Sequence, residues 1–203
     1  MAEVAAIVLA AGRSTRFSGG AEDTTKLVAE LDGAPLVRHA LDAALGCGAR
    51  PVILVTGHAR ARVMAALAGL DVVEKYNADY ADGIASSVKA GLAAVPATCG
   101  AALVFLGDMP RVNAGLARKL IDAFDRDPAL DAVAPLVAGR RGNPVLLARG
   151  LFAPAMNLAG DEGARRLLMR PGLRVAELAV DDDGAALDVD TPEALQCLAP
   201  RRE

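Results

Sequence analysis

Val4-Ala5-Ala6-Ile7-Val8-Leu9-Ala10-Ala11-Gly12-Arg13-Ser14-Thr15-Arg16 runs from an unbroken apolar stretch into a turn of small residues that carries two arginines. An apolar run this short, with no polar alternation, is the pattern of a strand covered on both faces, as in a parallel sheet. Similar short runs lie at 52–56, 72–76, 101–106, 131–136 and 144–147, and the first of the set occupies 4–9. Between them apolar residues recur at helical spacing: Leu36/Ala40/Leu41/Ala44/Leu45, Ile84/Val88/Leu92/Val95 and Leu116/Leu120/Ile121/Phe124. Asn113 stands where it can cap the last of these helices. The alternation predicts an α/β fold, a Rossmann-like three-layer α/β/α sandwich with a mostly parallel sheet. No internal repeat and no Ser- or Pro-rich linker divides the chain. Residues 1–203 are therefore expected to form a single domain, with the more irregular 137–170 as a substrate-facing subregion.

Composition narrows the function classes. A hydrophobic fraction of 53% across 203 residues supplies a core, and with aromatics at 3% and no Trp that core is built from Ala, Val and Leu. A net charge of −3 argues against a nucleic-acid-binding surface, which needs basic groups to replace the counterions of the phosphates. Cys47, Cys99 and Cys197 are far apart and lack C-x-x-C spacing, so neither a disulfide framework nor a zinc knuckle is expected. No basic segment precedes the first apolar run, and a cytoplasmic protein is the expectation. Residues 90–107 carry no charge, but Gly91, Pro96, Thr98 and Gly100 interrupt them. They read as a helix end, a loop and a buried strand, with no membrane span.

Open α/β sheets bind ligands beyond the carboxyl ends of their strands. After the first strand, Leu9-Ala10-Ala11-Gly12-Arg13-Ser14-Thr15-Arg16 has neither the glycine spacing of a dinucleotide fingerprint nor, with Gly20 followed by Ala21, a Walker A lysine. Its small residues still let backbone approach a phosphate, and Arg13, Arg16 and Lys26 add positive charge. A flexible loop with solvated cations is the competing reading of this segment. After the fourth strand, Leu106-Gly107-Asp108-Met109-Pro110 places a carboxylate where a buried strand emerges. Such a carboxylate suits Mg²⁺, although a turn or a helix cap uses the same residues. Near the C-terminus Leu187-Asp188-Val189-Asp190 supplies further carboxylates, and Thr191-Pro192-Glu193 opens a helix with Pro in its first turn. His39 sits within an amphipathic helix and reads as structural, whereas His58, after Val55-Thr56-Gly57, either lines a base pocket or packs structurally.

Taken in order, the strand followed by L-A-A-G-x-S-x-R, the downstream Lys26-Leu27, Leu106-Gly107-Asp108-Met109-Pro110 and Asp188-Val189-Asp190-Thr191-Pro192-Glu193 resemble the nucleotidyltransferases that include the molybdenum cofactor guanylyl- and cytidylyltransferases. These enzymes fall within the MobA-like NTP transferase superfamily, of nucleotide-diphospho-sugar transferase-like fold. The resemblance runs from about Val4 to Leu198. Asn77-x-x-Tyr80-x-x-Gly83-Ile84-x-Ser86-Ser87-Val88, Gly139-Arg140-Arg141-Gly142-Asn143-Pro144 and Gly160-Asp161-Glu162-Gly163-Ala164-Arg165 resemble the cytidylyltransferase branch.

The resemblance implies transfer of CMP from CTP to the phosphate of a molybdopterin-type cofactor, with pyrophosphate released. It implies Mg²⁺ held by Asp108 and Asp190, with Asp188 as the substitute, and Arg16 and Lys26 as the catalytic cations on the triphosphate. Nucleotide contacts are expected from Leu9, Ala10, Ala11, Gly12, Arg13, Lys26, Gly57, His58, Ser86 and Asp108. Acceptor contacts are expected from Arg140, Gly142, Asn143, Asp161 and Arg165. The guanylyl branch has L-A-G-G where this chain has Leu9-Ala10-Ala11-Gly12, so the Ala11 methyl is expected to narrow the base pocket toward a pyrimidine. Two departures stand out: ten positions separate Arg16 from Lys26, with Ala21-Glu22-Asp23 inserted, and Asn143 replaces the family's His. GTP or another phosphate acceptor, and a non-catalytic cofactor-delivery chaperone, are the alternatives. A nicotinamide oxidoreductase is weaker because the glycine fingerprint is missing. The resemblance also implies transient handover to an apo-molybdoenzyme, for which the face at 151–158 is one candidate; neither nucleic acid nor membrane is an expected partner.

Overall fold

The computed structural model describes residues 3–18, 24–181 and 183–198. In chain order the strands are β1 (Glu3–Ala10), β2 (Glu30–Leu31), β3 (Ala34–Pro35), β4 (Val52–Thr56), β5 (Val73–Tyr76), β6 (Cys99–Leu106), β7 (Ala132–Val137), β8 (Arg140–Arg141), β9 (Val145–Ala148) and β10 (Val175–Ala179). The helices are α1 (Thr15–Ser18), α2 (Leu36–Gly46), α3 (Arg60–Ala66), α4 (Ile84–Ala93), α5 (Ala114–Arg126), α6 (Phe152–Ala155) and α7 (Pro192–Leu198). The main sheet has the order β10-β7-β9-β6-β1-β4-β5, with β8 paired to β7; β2 and β3 form a separate hairpin.

β1 lies between β4 and β6 and is parallel to both, with Ile7 opposite Ile53 on one side and Val104 on the other. Its unbroken apolar sequence follows from burial on two faces. Val4, Ala6 and Val8 enter the core shared with α2 and α5, whereas Ala5, Ile7 and Leu9 enter the opposite core with Val88 and Leu92 of α4. The sheet is mostly parallel, as expected. β9 is the exception on the main path, antiparallel to both β6 and β7. The cause is covalent: the connection from β7 is far too short for the crossover that a parallel neighbour requires.

Asn113 caps α5 by accepting from Leu116 N at 2.9 Å, and Thr191 Oγ1 accepts from Ala194 N at 3.2 Å in the first turn of α7. The uncharged stretch divides into the end of α4 and the buried β6, and no described helix is long and apolar enough to cross a membrane. Cys47 and Cys99 are buried, Cys197 is exposed, and all three are free thiols. His39 accepts a structural role, its Nε2 lying 2.9 Å from the Leu31 carbonyl.

Residues 137–170 contribute to both the sheet and the core. β9 belongs to the body of the sheet, and Leu151, Phe152, Ala155 and Leu158 are buried in the core on the α4 side. The face at 151–158, a candidate for contact with an apo-molybdoenzyme, is thus turned inward in good part by ordinary apolar packing.

Candidate functional site

The chain passes from β1 outward through β4 to β5, then returns to place β6 on the other side of β1. That reversal opens a crevice beyond the carboxyl ends of β1 and β6. Gly107 makes the junction tight: its N–H donates to the Leu9 carbonyl at 2.9 Å, and a Cβ there would lie 2.8 Å from that oxygen. Asp108 consequently leaves β6 beside the end of β1. The Asp108 carbonyl accepts from Val189 N at 3.0 Å, and the Val189 side chain is buried with Leu31 and Leu36. This anchor brings Asp190 to Asp108, while Asp188 is exposed and outside the cluster.

Lys26 meets both carboxylates. Its Nζ lies 2.8 Å from Asp108 Oδ2 and 2.8 Å from Asp190 Oδ1, and Arg16 Nη1 lies 2.7 Å from the other Asp190 oxygen. Ser14 and Thr25 hold the lysine in place. Ser14, at φ +53°, accepts from Lys26 N at 3.2 Å and lies 3.2 Å from the Thr25 hydroxyl, which caps the 3-10 turn Lys26–Val28 by accepting from Leu27 N. Burial by itself would lower the Lys26 pKa, but Asp108 and Asp190 together outweigh it and raise it above its ordinary value. Asp190 is held below the usual carboxylate range, chiefly by the Lys26 hydrogen bond against a desolvation cost, with the Lys26 and Arg16 charges adding to it. The site thus joins the two carboxylates Asp108 and Asp190 to the side chains of Lys26 and Arg16 through contacts of 2.7–2.8 Å.

This array borders a cleft of about 560 Å³, which Arg13 also lines. Leu9, Ala11, Tyr80, Ile84 and Ser87 line a neutral portion. Gly83 shapes the wall: at φ +94° its ideal Cβ would meet the Gly160 carbonyl oxygen at 2.3 Å and Asp161 Oδ1 at 2.9 Å. The residue must be glycine for the start of α4 to dock against the loop that carries Asp161. Asp161 also borders the cleft.

Of the expected residues, Leu9, Ala11, Gly12, Arg13, Arg16, Lys26, Asp108, Asp161 and Asp190 line one cleft. Others are placed elsewhere. Ala10 packs into the α2–α5 core because β1 alternates faces, and its side chain is buried there. Ser86 is turned away: its hydroxyl accepts from Asn77 Nδ2 at 2.8 Å and donates to the Gly83 carbonyl at 2.8 Å, and its neighbour Ser87 borders the cleft instead. Gly57 lies behind the lining, where a Cβ would fall 2.6 Å from Tyr80 Cβ and 2.8 Å from Ala11 Cβ. His58 backs the same wall, with its N–H donating to the Ala11 carbonyl at 3.2 Å, its Nε2 3.2 Å from Thr24 O and its ring 6.0 Å from that of Tyr80.

None of Arg140, Gly142, Asn143 and Arg165 borders the cleft. Arg140 is exposed on β8, and Arg165 Nη1 donates to the Arg141 carbonyl at 2.9 Å. Gly142 packs so closely on Ala185 that a Cβ would meet its carbonyl oxygen at 2.3 Å, and buried Asn143 donates its N–H to the same oxygen at 2.8 Å. These two residues join β9 to the C-terminal segment. The Ala21-Glu22-Asp23 insertion lies outside the described residues.

Can the site hold a cation? Among the described residues, no group of three or more His, Cys, Asp or Glu is gathered to cage a metal. Asp108 and Asp190 nevertheless converge on one positive nitrogen, and hard oxygen donors in a pair suit a divalent ion that completes its shell with water and phosphate oxygens.

Residues 6–175 match the MobA-like NTP transferase domain, which covers most of the chain. The chain belongs to that family. It is 32% identical to Rv0371c from Mycobacterium tuberculosis H37Rv, with a TM-score of 0.81 over 97% of both chains. A structure of Rv0371c in complex with manganese aligns at a TM-score of 0.77 and 30% identity, again over 97% of each chain. The bifunctional protein GlmU of Pelobacter propionicus is 33% identical over 145 residues, 71% of this chain and 30% of that protein. The chain thus corresponds to under a third of GlmU. The family match places it among NTP transferase domains. The family match ends before Asp190, so that residue joins the site on geometry alone.

Proposed function

We propose that the chain transfers CMP from CTP to the phosphate of a molybdopterin-type cofactor, yielding the cytosine dinucleotide cofactor and pyrophosphate. The observation that carries this reading is the mixed lining of the cleft: Arg16, Lys26, Asp108 and Asp190 joined in one ion-paired cluster, with uncharged Ala11, Tyr80 and Ser87 bordering the same space. A triphosphate needs the first, a base and ribose the second. The acceptor phosphate is already anionic near neutral pH, so attack on the α-phosphorus requires no protein base. That fits a cleft whose lining, among the described residues, contains no histidine.

Lys26 and Arg16 bind the triphosphate and offset charge that builds on the α-phosphate and the departing pyrophosphate. Gly12 lets backbone approach the phosphates closely, and Arg13 adds charge at the mouth of the cleft. Asp108 and Asp190 would hold a divalent ion such as Mg²⁺, which would supply charge neutralisation to the phosphate oxygens. Asp161 faces the pterin side, the one residue of the expected acceptor set that reaches the cleft. The finished cofactor passes to an apo-molybdoenzyme.

Calorimetric titration with CTP, GTP and NAD⁺, each with and without Mg²⁺, tests the reading. Mg²⁺-dependent binding of CTP, lost in Asp108→Ala, is the expected result and leads to a pterin transfer assay. Preference for GTP moves the function to guanylyl transfer on the same scaffold, and absence of nucleotide binding overturns it.

A further inference from the structure

Both oxygens of Asp190 are engaged by basic side chains: Oδ1 accepts from Lys26 Nζ at 2.8 Å, and Oδ2 lies 2.7 Å from Arg16 Nη1. Asp108 turns Oδ2 to the same Lys26 nitrogen, again at 2.8 Å. The two partners differ in exposure. The Arg16 side chain is 74% exposed, so its pair is solvated and readily exchanged, whereas the Lys26 side chain is 11% exposed. Lys26 is also fixed at its root. Its N–H donates to Ser14 Oγ at 3.2 Å and its carbonyl accepts from Ala29 N at 3.0 Å, which leaves the four-carbon stem as the part that can turn. That stem borders the cleft that Gly12 and Arg13 also line, so a ligand phosphate seated there comes within its reach.

We propose that Lys26 gates the divalent-ion site: its ammonium holds the point shared by Asp108 and Asp190 until a triphosphate draws it away. An ammonium and a hard divalent ion seek the same carboxylate lone pairs and repel each other, so the two compete for this point. A ligand that binds a state present in only a fraction of the molecules has its affinity lowered by that fraction. Nucleotide-free protein is therefore a poor site for the ion, although its carboxylates are already gathered. Triphosphate oxygens offer the lysine a second set of acceptors, and once it turns to them Asp108 and Asp190 are released. Occupancy of the phosphate side and of the carboxylate side then favour each other by the same factor, through one side chain. Arg16, solvated and bound to the other oxygen of Asp190, adds little to the gate. The release step rests on the nucleotidyl-transfer reading, whereas the lysine's hold on the carboxylates rests on geometry alone.

The test is calorimetric titration of Mn²⁺ into nucleotide-free protein and, separately, of CTP in metal-free buffer, for the wild type, Lys26→Met, Arg16→Met and the Lys26→Met/Asp108→Asn pair. Lys26→Met should bind Mn²⁺ about tenfold more tightly than the wild type and CTP about tenfold more weakly. Opposite signs from one substitution mark a cation shared between two sets of acceptors; a lysine that only supports the fold would weaken both. Arg16→Met should change Mn²⁺ affinity by less than about twofold, and Asp108→Asn should abolish the gain in the pair. Lys26→Gln, which keeps a donor for one carboxylate, should gain about threefold in Mn²⁺ affinity and serves if the methionine variant does not fold. Mn²⁺ affinity that is unchanged or lower in both lysine variants, or raised equally by Arg16→Met, overturns the gate. Tighter Mn²⁺ with unchanged CTP overturns release by the triphosphate. A wild type that binds CTP neither alone nor with Mn²⁺ overturns the transfer reading and the release step, and the nucleotide-free Mn²⁺ comparison still judges the lysine's hold.

Discussion

Lys26 Nζ and Asp108 Oδ2 lie 2.8 Å apart, a pairing of a loop that follows β1 with the residue just beyond β6 across the mouth of the sheet. The lysine is 9% exposed and also bridges to Asp190, so it sits where a cation is held by two carboxylates at once. Replacing it with Met removes a preorganised charge from the transition state and leaves two carboxylates facing one another. Single-turnover nucleotidyl transfer by Lys26→Met should fall by roughly 10²–10³-fold. Lys26→Arg should recover little, because a planar guanidinium cannot occupy the point shared by both carboxylates. Recovery to near wild-type turnover in the arginine variant would show that only charge matters there.

Much of this arrangement is legible in the sequence, and the failures have physical causes. The apolar run of β1 announces a doubly covered strand, and the carboxylates after β6 and near the C-terminus stand out because chemistry collects at strand ends. Which of Asp188 and Asp190 faces the cleft depends on which way the buried Val189 anchor points, a tertiary fact. The exchange of Ser86 for Ser87 was readable in principle. Ile84, Ser87, Val88 and Gly91 are spaced i, i+3, i+4 and i+7, which puts Ser87 on the inward face of α4 and Ser86 beside it. Gly57, His58, Gly142 and Asn143 illustrate the harder case, since motif matching gives their order but not whether they line a cleft or support its wall. β10 escaped because its Val-Ala-Glu-Leu-Ala sequence is that of a half-exposed edge strand, with weak apolar signal.

Gly83 offers a test of the cleft wall. An alanine there takes a strained positive φ and drives its Cβ into the Gly160 carbonyl, a backbone atom that cannot swing aside. Gly83→Ala should cost about 2–3 kcal/mol of stability in urea unfolding. CTP affinity should fall with it, because the first turn of α4 and the Asp161 loop are displaced together. A variant as stable as the wild type would mean that the loop yields freely.

The pH dependence of stability can be read at Glu74, away from the cleft charges. Arg60 grips it through two hydrogen bonds of 2.7 Å, and the buried Thr56 hydroxyl donates to it at 2.6 Å. The Arg60 hydrogen bond holds the Glu74 carboxyl below its ordinary range, against a desolvation cost and with help from Thr56. A carboxyl whose folded pKa is depressed contributes stability above its unfolded value of about 4.3, and that contribution is lost as pH falls through the folded value. Glu74→Gln should therefore melt below the wild type at pH 7, by about 1 kcal/mol for a pair whose arginine is largely solvated. The gap should close as the pH is taken below about 4. A gap that persists unchanged at acidic pH would assign the effect to packing.

On the proposed function, Ala11 sets how wide the cleft is beneath the base. It is 3% exposed, borders the cleft, and rests against Gly57, where any Cβ would come within 2.8 Å of its methyl. The methyl is thus held from behind by the end of β4 and cannot retreat to admit a larger ring. Removing it in Ala11→Gly opens space on the cleft side without disturbing the charged end, so the loss of selectivity should be confined to the base. A single methyl-sized group discriminates by roughly 1–3 kcal/mol when the pocket around it is rigid. The CTP-to-GTP affinity ratio should accordingly fall about tenfold or more, chiefly through tighter GTP binding. An unchanged ratio in Ala11→Gly would remove the methyl from the account of base choice.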